Sequence, residues 1–432
     1  MLRIITQRSE AETELKRICD RIYDDQVIHK EATVSEIIQT VRRQGDLALI
    51  RYTSEFDGQN ITQADLRVTG AELDVAYQQV NSELLKAIET AHARILSFHK
   101  LRIPKSWVQF EDKEVVLGKR YSPVDIAGIY VPGGKATYPS TVLMNAVPAV
   151  VAGVKKIVMV TPLGKDKTIN PAILVAADIA GVDEIYRVGG AQAIAALAYG
   201  TETIPAVDVI SGPGNIYVTL AKKQVYGKVG IDSLAGPSEV LIIADRTANP
   251  VHIAADLLAQ AEHDSLAAAV LITTDSRLAQ KVSEEVKSQL ELHPRRLLTE
   301  KAIANYGLVV VVDSLKIAAD LSNLFAPEHL ELAVDEPWDM LEMIRHAGAI
   351  FLGHSTPEAV GDYLAGPNHT LPTSGAARYA SPLSVETFMK HSSIIQYSPE
   401  ALKEVAGAIA ALTEAEGLPS HGDSVRLRIE DL

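Results

Sequence analysis

The chain has 432 residues, which at about 150 residues per domain suggests two or three domains. It is 47% hydrophobic, 22% charged and 5% aromatic, a composition that favours a well-buried α/β protein over a β-sandwich. A formal charge of −14 argues against nucleic acid as a partner. The single cysteine, Cys19, excludes a disulfide framework and cysteine-rich metal sites, and it indicates a reducing cytoplasm.

The first 120 residues are predicted to be mainly helical. Leu15, Ile18 and Ile22 form an apolar stripe beside Cys19, which favours a place in the core for this thiol over a nucleophilic role. The amino-terminal residues mix charged and apolar side chains, so no secretory signal is expected. No membrane span is expected either, because the most apolar stretch, 142–154, is too short and contains proline and glycine.

From about residue 125, short apolar runs alternate with alanine-rich helical segments. Strands are predicted over 125–131, 155–161, 183–189, 206–211, 238–245, 267–275, 307–313 and 348–353. Strand–helix alternation implies βαβ units, and therefore two α/β layers with parallel sheets covered by helices on both faces. An amphipathic helix is predicted near 399–415, followed by a polar tail.

Three predicted strands of the first layer end in glycine-rich turns, at 131–135, 188–192 and 211–215. Turns at the carboxyl ends of parallel strands bind ligands against helix N-termini, and glycines let the backbone approach a phosphate closely. None of the turns matches G-x-G-x-x-G, and each alone is equally compatible with a simple tight turn. Three in succession favour a ligand-binding face.

Polar residues suited to metal binding or proton transfer lie mostly after residue 250, where nine of the twelve histidines are found. Gln260 and His263 are three residues apart on a predicted helix, so their side chains can converge; a partly buried polar helix end is the alternative. Glu328 and His329 precede a predicted strand and can divide acid and base work. Their alternative is a solvent-exposed pair, and in an extended segment they should point to opposite faces.

Asp362 is expected in a glycine-punctuated loop, with His369 seven residues further on. His421 lies in the tail near Glu416, where an isolated histidine is usually solvated surface. From the residue types alone, these late residues are a loose set of nitrogen and oxygen ligands suited to zinc. The sequence contains no H-E-x-x-H, which weakens a zinc-peptidase interpretation.

With these segments in place, the chain resembles the histidinol dehydrogenase family along nearly its whole length. The motifs occur in the family's order: IAGIYVPGGKATYPSTVLMNAVPA, VGGAQAIAALAYGT, SGPGNIYVTLAK, DSLAGPSEVLIIAD, DLLAQAEHD, NLFAPEHLEL, GDYLAGPNHTLPTSGAAR and EGLPSHGDSV. The resemblance implies a zinc-containing, NAD-dependent homodimer that oxidises L-histidinol to L-histidine through L-histidinal. This four-electron oxidation, in two hydride transfers, is the last step of histidine biosynthesis.

The resemblance also implies roles for individual residues. One zinc ion per subunit would be held by Gln260, His263, Asp362 and His421, with His421 reaching in from the partner subunit. Glu328 and His329 would be the acid–base residues, and NAD would contact Tyr130, Gln192 and Asn215. Substrate contacts would come from Ser238, Gln260, His263, His329, Asp362, His369, Glu416 and His421.

The implied fold has two incomplete Rossmann-like α/β/α domains, one inserted in the other. The first would comprise 28–128 and 240–380 and carry the metal and catalytic residues. The inserted domain, 129–239, would carry the NAD face. The terminal segments, 1–27 and 381–432, would serve dimerisation, with exchange of the tail between subunits.

Oxidation of the aldehyde requires an added nucleophile, because hydride must leave a tetrahedral carbon. Cys19 is expected far from every motif, so attack by water is predicted, with Glu328 as its base, while His329 takes the alcohol proton. One alternative is a family member acting on another amino or hydroxy alcohol. A zinc hydrolase would work without NAD and leave the glycine-rich turns unexplained. A non-enzymatic nucleotide-binding module would leave Glu328 and His329 without a purpose.

Overall fold

The computed structural model describes residues 2–22, 26–133, 138–164 and 167–430. The chain divides into two compact units. The first comprises residues 1–102 and 125–388, and the second comprises 103–124 and 389–432. Within the described residues, no helix has the length and hydropathy needed to cross a membrane.

The elements are numbered in chain order. The strands are β1 (Arg3–Ile5), β2 (Trp107–Phe110), β3 (Val116–Pro123), β4 (Ile126–Tyr130), β5 (Lys156–Thr161), β6 (Glu184–Arg187), β7 (Val209–Ser211), β8 (Gly230–Ile231), β9 (Glu239–Ala244), β10 (Ala268–Thr273), β11 (Gly307–Val311), β12 (His329–Ala333), β13 (Ala349–Leu352) and β14 (Met389–Gln396). The helices are α1 (Arg8–Cys19), α2 (Gln26–Gln44), α3 (Asp46–Asp57), α4 (Gly70–Gln79), α5 (Ser82–Lys100), α6 (Pro139–Ala152), α7 (Pro171–Ile179), α8 (Gly190–Tyr199), α9 (Ile216–Val225), α10 (Pro250–Ala261), α11 (Ser276–Glu291), α12 (Arg296–Tyr306), α13 (Leu315–Phe325), α14 (Pro337–Leu341), α15 (Glu358–Tyr363), α16 (Pro399–Ala415) and α17 (Pro419–Glu430).

The larger sheet of the first unit has six parallel strands in the order β1-β11-β10-β9-β12-β13. Successive side chains of β9 point to opposite faces. Val240 and Ile242 join a core cluster with α10, α11 and α12. Leu241 and Ile243 join a second cluster with α1 and α13. Burial on both faces explains why the sequence of each strand is an almost continuous apolar run.

The smaller parallel sheet of this unit has five strands in the order β6-β5-β4-β7-β8. Helix α2 packs against α8 and α9, and asparagine side chains cap the amino ends of α7 and α9. All eight strands predicted after residue 125 are present, with ends that differ by a few residues. The predicted fold class, with two parallel α/β layers, is confirmed.

The second unit is built on an antiparallel sheet in the order β14-β3-β2. Helix α16 spans the predicted range, but the expected polar tail forms a further helix, α17. Its sequence has no apolar stripe, and Arg426 instead pairs with Asp423 and Glu430 along the helix, at 2.9 and 2.7 Å. The predicted domain boundaries and the dimerisation roles of the terminal segments stay predictions.

Candidate active site

The glycine-rich turns meet at the carboxyl end of the five-stranded sheet. Tyr130, the last residue of β4, accepts a hydrogen bond at its hydroxyl from the backbone N–H of Gly190, at 3.2 Å. Gly212, after β7, has φ +114°, and a Cβ atom there would lie 2.1 Å from the carbonyl oxygen of Tyr130. Only glycine permits this close approach. The turns after β4, β6 and β7 therefore lie close together, whereas Gly134 and Lys135 of the first predicted turn lie outside the described residues. The predicted ligand-binding face stays a prediction.

The other two predicted cofactor contacts lie at the same edge. Gln192, in the first turn of α8, is buried, whereas Asn215 is exposed and caps α9 by accepting from the backbone N–H of Tyr217 and Val218. Burial raises the pKa of Tyr130 to about 12, so its hydroxyl stays protonated and can donate as well as accept. This edge offers backbone amides, a hydroxyl and two side-chain amides to a ligand.

The second polar cluster lies at the amino ends of the six-stranded sheet. His329 is the first residue of β12, and its register partner in β9 is Val240, which follows Glu239. Helix α10 connects two parallel strands and runs back across the sheet. Its last turn therefore brings the buried Gln260 to the same amino edge. His263 was predicted on this helix, but the helix ends at Ala261 and His263 follows it, exposed.

The buried imidazole of His329 is at the centre of this cluster. Its Nδ1 lies 3.2 Å from the carbonyl oxygen of Glu239 and 3.3 Å from Nε2 of Gln260. Its Nε2 lies 3.5 Å from Oδ1 of Asp362. A proton on Nδ1 is donated to the Glu239 carbonyl, which leaves Nε2 to exchange protons within the site.

Glu328 lies beside this imidazole. Its Oε2 accepts the backbone N–H of Glu239 at 2.8 Å and lies 3.7 Å from Nδ1 of His329. The expectation that the two side chains point to opposite faces is wrong, because Glu328 precedes β12. Ala326, in the left-handed region at φ +53°, redirects the chain just before it. Burial raises the pKa of Glu328 to about 7, a value suited to a base near neutral pH.

A buried glutamate that the sequence analysis missed completes the cluster. Glu358, His329 and Asp362 offer ligand atoms that all lie within 4.8 Å of one another. Burial alone would lower the pKa of His329, but the carboxylates of Glu358, Glu328 and Asp362 outweigh it and raise the pKa well above its ordinary value. No sequence signal could identify Glu358, because T-P-E-A-V-G-D is typical of the start of any surface helix.

Two further predicted residues, His369 and Ser238, lie beside the cluster. Asp362 was expected in a loop, but it lies in the short helix α15. Its carbonyl oxygen lies 3.0 Å from Nδ1 of His369, whose Nε2 lies 3.4 Å from the hydroxyl of Thr141 in α6. Ser238, partly buried, directly precedes β9.

Cys19 is nearer to the motifs than predicted. It packs against the core beneath the six-stranded sheet, and its Sγ donates a hydrogen bond to the carbonyl oxygen of Phe325, at 3.4 Å. The expectation that it lies far from every motif is wrong, because Phe325 belongs to the segment that leads into Glu328. Burial raises the pKa of the Cys19 thiol to about 12, which leaves it almost entirely protonated and a poor nucleophile.

The predicted tail residues belong to the second unit. Glu416 directly follows α16 and His421 lies in α17, and both are exposed. The roles of these two residues stay predictions.

Buried polar atoms without partners show what the cluster lacks. Among the described residues, Oε1 of Gln260, Nε2 of His329 and Oε2 of Glu358 are buried and accept or donate no hydrogen bond. Leaving such atoms unpaired is costly unless a ligand or ion completes them. Nitrogen and oxygen donors of this kind suit a divalent cation such as zinc.

Two parallel sheets, glycine-rich turns at the carboxyl edge of one and a buried acid–imidazole cluster at the amino edge of the other define an α/β protein with an enzyme-like site. A family model described as histidinol dehydrogenase matches residues 22–429. The chain therefore belongs to the histidinol dehydrogenase family, and it is a dehydrogenase.

Individual relatives agree with this assignment. The chain is 71% identical over 430 residues to Histidinol dehydrogenase 2 of Trichormus variabilis, covering 100% of this chain and 99% of that protein. It is 68% identical over 432 residues to a histidinol dehydrogenase of a Synechococcus species, covering 100% of both. The crystal structure of histidinol dehydrogenase from Elizabethkingia anophelis superposes with a TM-score of 0.93 at 38% identity, covering 100% of this chain and 98% of that one.

Proposed function

We propose that this protein oxidises L-histidinol to L-histidine through L-histidinal, using NAD and one zinc ion per subunit, as the last step of histidine biosynthesis. The observation that carries the proposal is the buried imidazole of His329, held between Glu328 and Asp362 at 3.7 and 3.5 Å. Membership of the family is the reason for proposing this substrate and these cofactors.

The residues present fit a zinc ion. Gln260, His263 and Asp362, together with His421 of the partner subunit, would hold it, and the buried Oε1 of Gln260, which accepts no hydrogen bond, has a lone pair free for a metal ion. When bound, zinc supplies a redox-inactive cation that binds and orients the amine and imidazole nitrogens of histidinol. His329 must be neutral to act as a base. The positive charge of a zinc ion held by Asp362 would offset the negative charge of that carboxylate, and it would therefore lower the pKa of His329 toward its ordinary value.

The carboxyl edge of the five-stranded sheet fits a dinucleotide. Tyr130, Gln192 and Asn215 would contact it, and the close turns at Gly190 and Gly212 would admit its phosphates. When bound, NAD accepts the hydride.

The chain's own residues then manage protons in two steps. In the first, His329 accepts the hydroxyl proton as the alcohol loses its hydride and becomes the aldehyde. In the second, Glu328 accepts a proton from a water molecule as the water oxygen adds to the aldehyde carbon. The tetrahedral hydrate then loses the second hydride to give the acid. Cys19 takes no part, since its thiol has a pKa of about 12.

We further propose a homodimer in which Glu416 and His421 complete the partner's site. Both are exposed in the isolated chain, which supports their use by another subunit. The proposed compartment is the cytoplasm, which suits an enzyme whose one thiol is free.

One assay tests the proposed function. The protein is incubated with L-histidinol and NAD, and NADH is followed by its near-ultraviolet absorbance, before and after chelation and after zinc is restored. Two NADH formed per histidinol consumed, lost on chelation and regained with zinc, is the expected result. Absence of NADH from zinc-loaded protein would overturn the proposal, and faster turnover of another amino alcohol would overturn its substrate.

A further inference from the structure

A buried arginine connects the amino-terminal segment to the residues around the acid–base pair. Arg21 lies in a short 3₁₀ turn after α1 (Asp20–Ile22). Its guanidinium pairs with the carboxylate of Glu239 at 2.8 Å, and the two side chains are 1% and 0% exposed. Arg21 lies outside every motif on which the family resemblance rests, so it could not be identified from the sequence alone.

All five N–H groups of the guanidinium have acceptors. Nε donates to the Leu266 carbonyl at 2.7 Å. Nη1 donates to the Ile18 carbonyl at 2.6 Å and to Oε1 of Glu239. Nη2 donates to the carbonyls of Pro237 and Ser238, at 2.9 and 3.5 Å. An arginine with every donor used is fixed in one orientation, and it fixes the backbone around it.

The backbone that Arg21 fixes is the one that holds both acid–base residues. The N–H of Glu239 donates to Oε2 of Glu328 at 2.8 Å. The carbonyl of the same residue lies 3.2 Å from Nδ1 of His329. One peptide segment therefore sets the orientation of the carboxylate and selects the proton-bearing nitrogen of the imidazole.

Stability alone is a weak reason for such a pair. Removing two charges from water costs about as much as their attraction returns, so buried ion pairs often contribute little net stability. The pair does fix orientation, because the planar guanidinium holds four carbonyls and one carboxylate at fixed angles.

We propose that Arg21 and Glu239 are positioning residues for the two oxidations, acting through the 237–239 segment on Glu328 and His329. The expected effect on turnover rests on the proposed function, whereas the hydrogen bonds that orient Glu328 and His329 do not depend on it. Misplacement of reacting groups by about 1 Å reduces turnover by about 100-fold. We expect a loss of that order in kcat from Arg21→Met, with little change in KM for NAD.

Three variants separate positioning from stability. Arg21→Lys keeps the charge but offers three donors instead of five, and we expect it to recover only part of kcat. Arg21→Met combined with Glu239→Met leaves no unpaired buried charge, so its melting temperature should return toward that of the wild type while kcat stays low. Arg17→Met is the matched control, since Arg17 lies on the adjoining helix α1 and donates to a carbonyl, that of Asn305, but is half-exposed.

A second readout does not depend on turnover. Nitrogen NMR of the neutral His329 imidazole, recorded at a pH above its raised pKa, should show one dominant tautomer in the wild type and in Arg17→Met, and a mixture in Arg21→Met. If kcat and the tautomer recover together with stability in the double variant, the inference is overturned. If the wild type forms no NADH but the tautomer changes as expected, the proposed function fails while the positioning role stands.

Discussion

The imidazole Nε2 of His329 lies 3.5 Å from Oδ1 of Asp362, and both side chains are largely buried, with 4% and 17% of their surfaces exposed. A carboxylate this close to an imidazole stabilises its protonated form. Asp362 is one of three carboxylates that raise the pKa of His329 against the opposing effect of burial. The relationship can be tested without substrate.

Replacing Asp362 by Asn should lower the pKa of His329 in metal-free protein, because one of the stabilising negative charges is removed. The measurement is an NMR titration of the His329 ring protons. Asp339→Asn, which removes an exposed acid from α14, is the control and should leave the titration unchanged. An unshifted His329 in Asp362→Asn would contradict the electrostatic account of the site.

The oxidation of histidinal should depend on Glu328 being ionised. Burial raises the pKa of Glu328 to about 7, so the unprotonated base is lost as the pH falls through about 7. We expect the rate of histidinal oxidation to increase as the pH is raised through about 7, when NADH formation is followed at zinc saturation. Glu328→Gln should retain the alcohol step and accumulate histidinal; equal loss of both steps would contradict the division of roles.

The turn at Gly212 should tolerate no side chain. A Cβ atom would lie 2.1 Å from the carbonyl of Tyr130, whereas at Gly227, also at positive φ (+99°), nothing lies within 4 Å. Gly227→Ala should therefore cost only backbone strain, about 1–3 kcal/mol. Gly212→Ala should lower stability further and raise KM for NAD, as measured by denaturant unfolding and steady-state kinetics. Equal behaviour of the two variants would show that the Tyr130 contact is unimportant.

Replacing Cys19 should not affect either oxidation. Its thiol is protonated at neutral pH because burial raises its pKa to about 12. Cys19→Ser should still form two NADH per histidinol, with at most a modest loss of stability from the core side of α1. A fall to one NADH in a folded variant would make the thiol the missing nucleophile.

A buried carboxyl pair should make the metal-free protein less stable as the pH rises. Burial and the neighbouring Asp256 raise the pKa of Glu331 in the folded state, so the folded protein binds more protons than the unfolded chain above the ordinary carboxyl range. The unfolding free energy should therefore decrease toward neutral pH. Glu331→Gln should flatten this dependence in denaturant titrations at several pH values; an unchanged slope would contradict it.

The parallel sheets could be predicted from sequence because strands buried on both faces, such as β9 and β10, are continuous apolar runs. The antiparallel strands of the second unit could not. Trp107, Val108 and Phe110 in β2 are exposed, so no alternation between buried and polar positions marks the strand. The polar helix α17 was missed because salt links along its surface, rather than an apolar stripe, support it.

Within the site, Glu328 and His329 could be recognised because an acid beside an imidazole is unusual and belongs to a motif. Glu358 and Arg21 could not, since their importance comes from burial beside residues far away in the chain. The location at the amino ends of the strands was also unpredictable, because ligands of parallel sheets usually bind at the carboxyl ends. It follows from the return of α10 and from the sharp turn at Ala326.

The two edges also divide what a protein engineer could alter. Residues that would contact NAD lie at the ends of β4, β6 and β7, whereas the residues that would accept protons, Glu328 and His329, lie at the start of β12. Because these segments belong to different sheets, changing a proposed substrate contact beside the acid–base pair, such as Ser238, would alter which alcohol is accepted and leave the proposed NAD face intact. The fold therefore places substrate specificity and cofactor binding on two separate sheets.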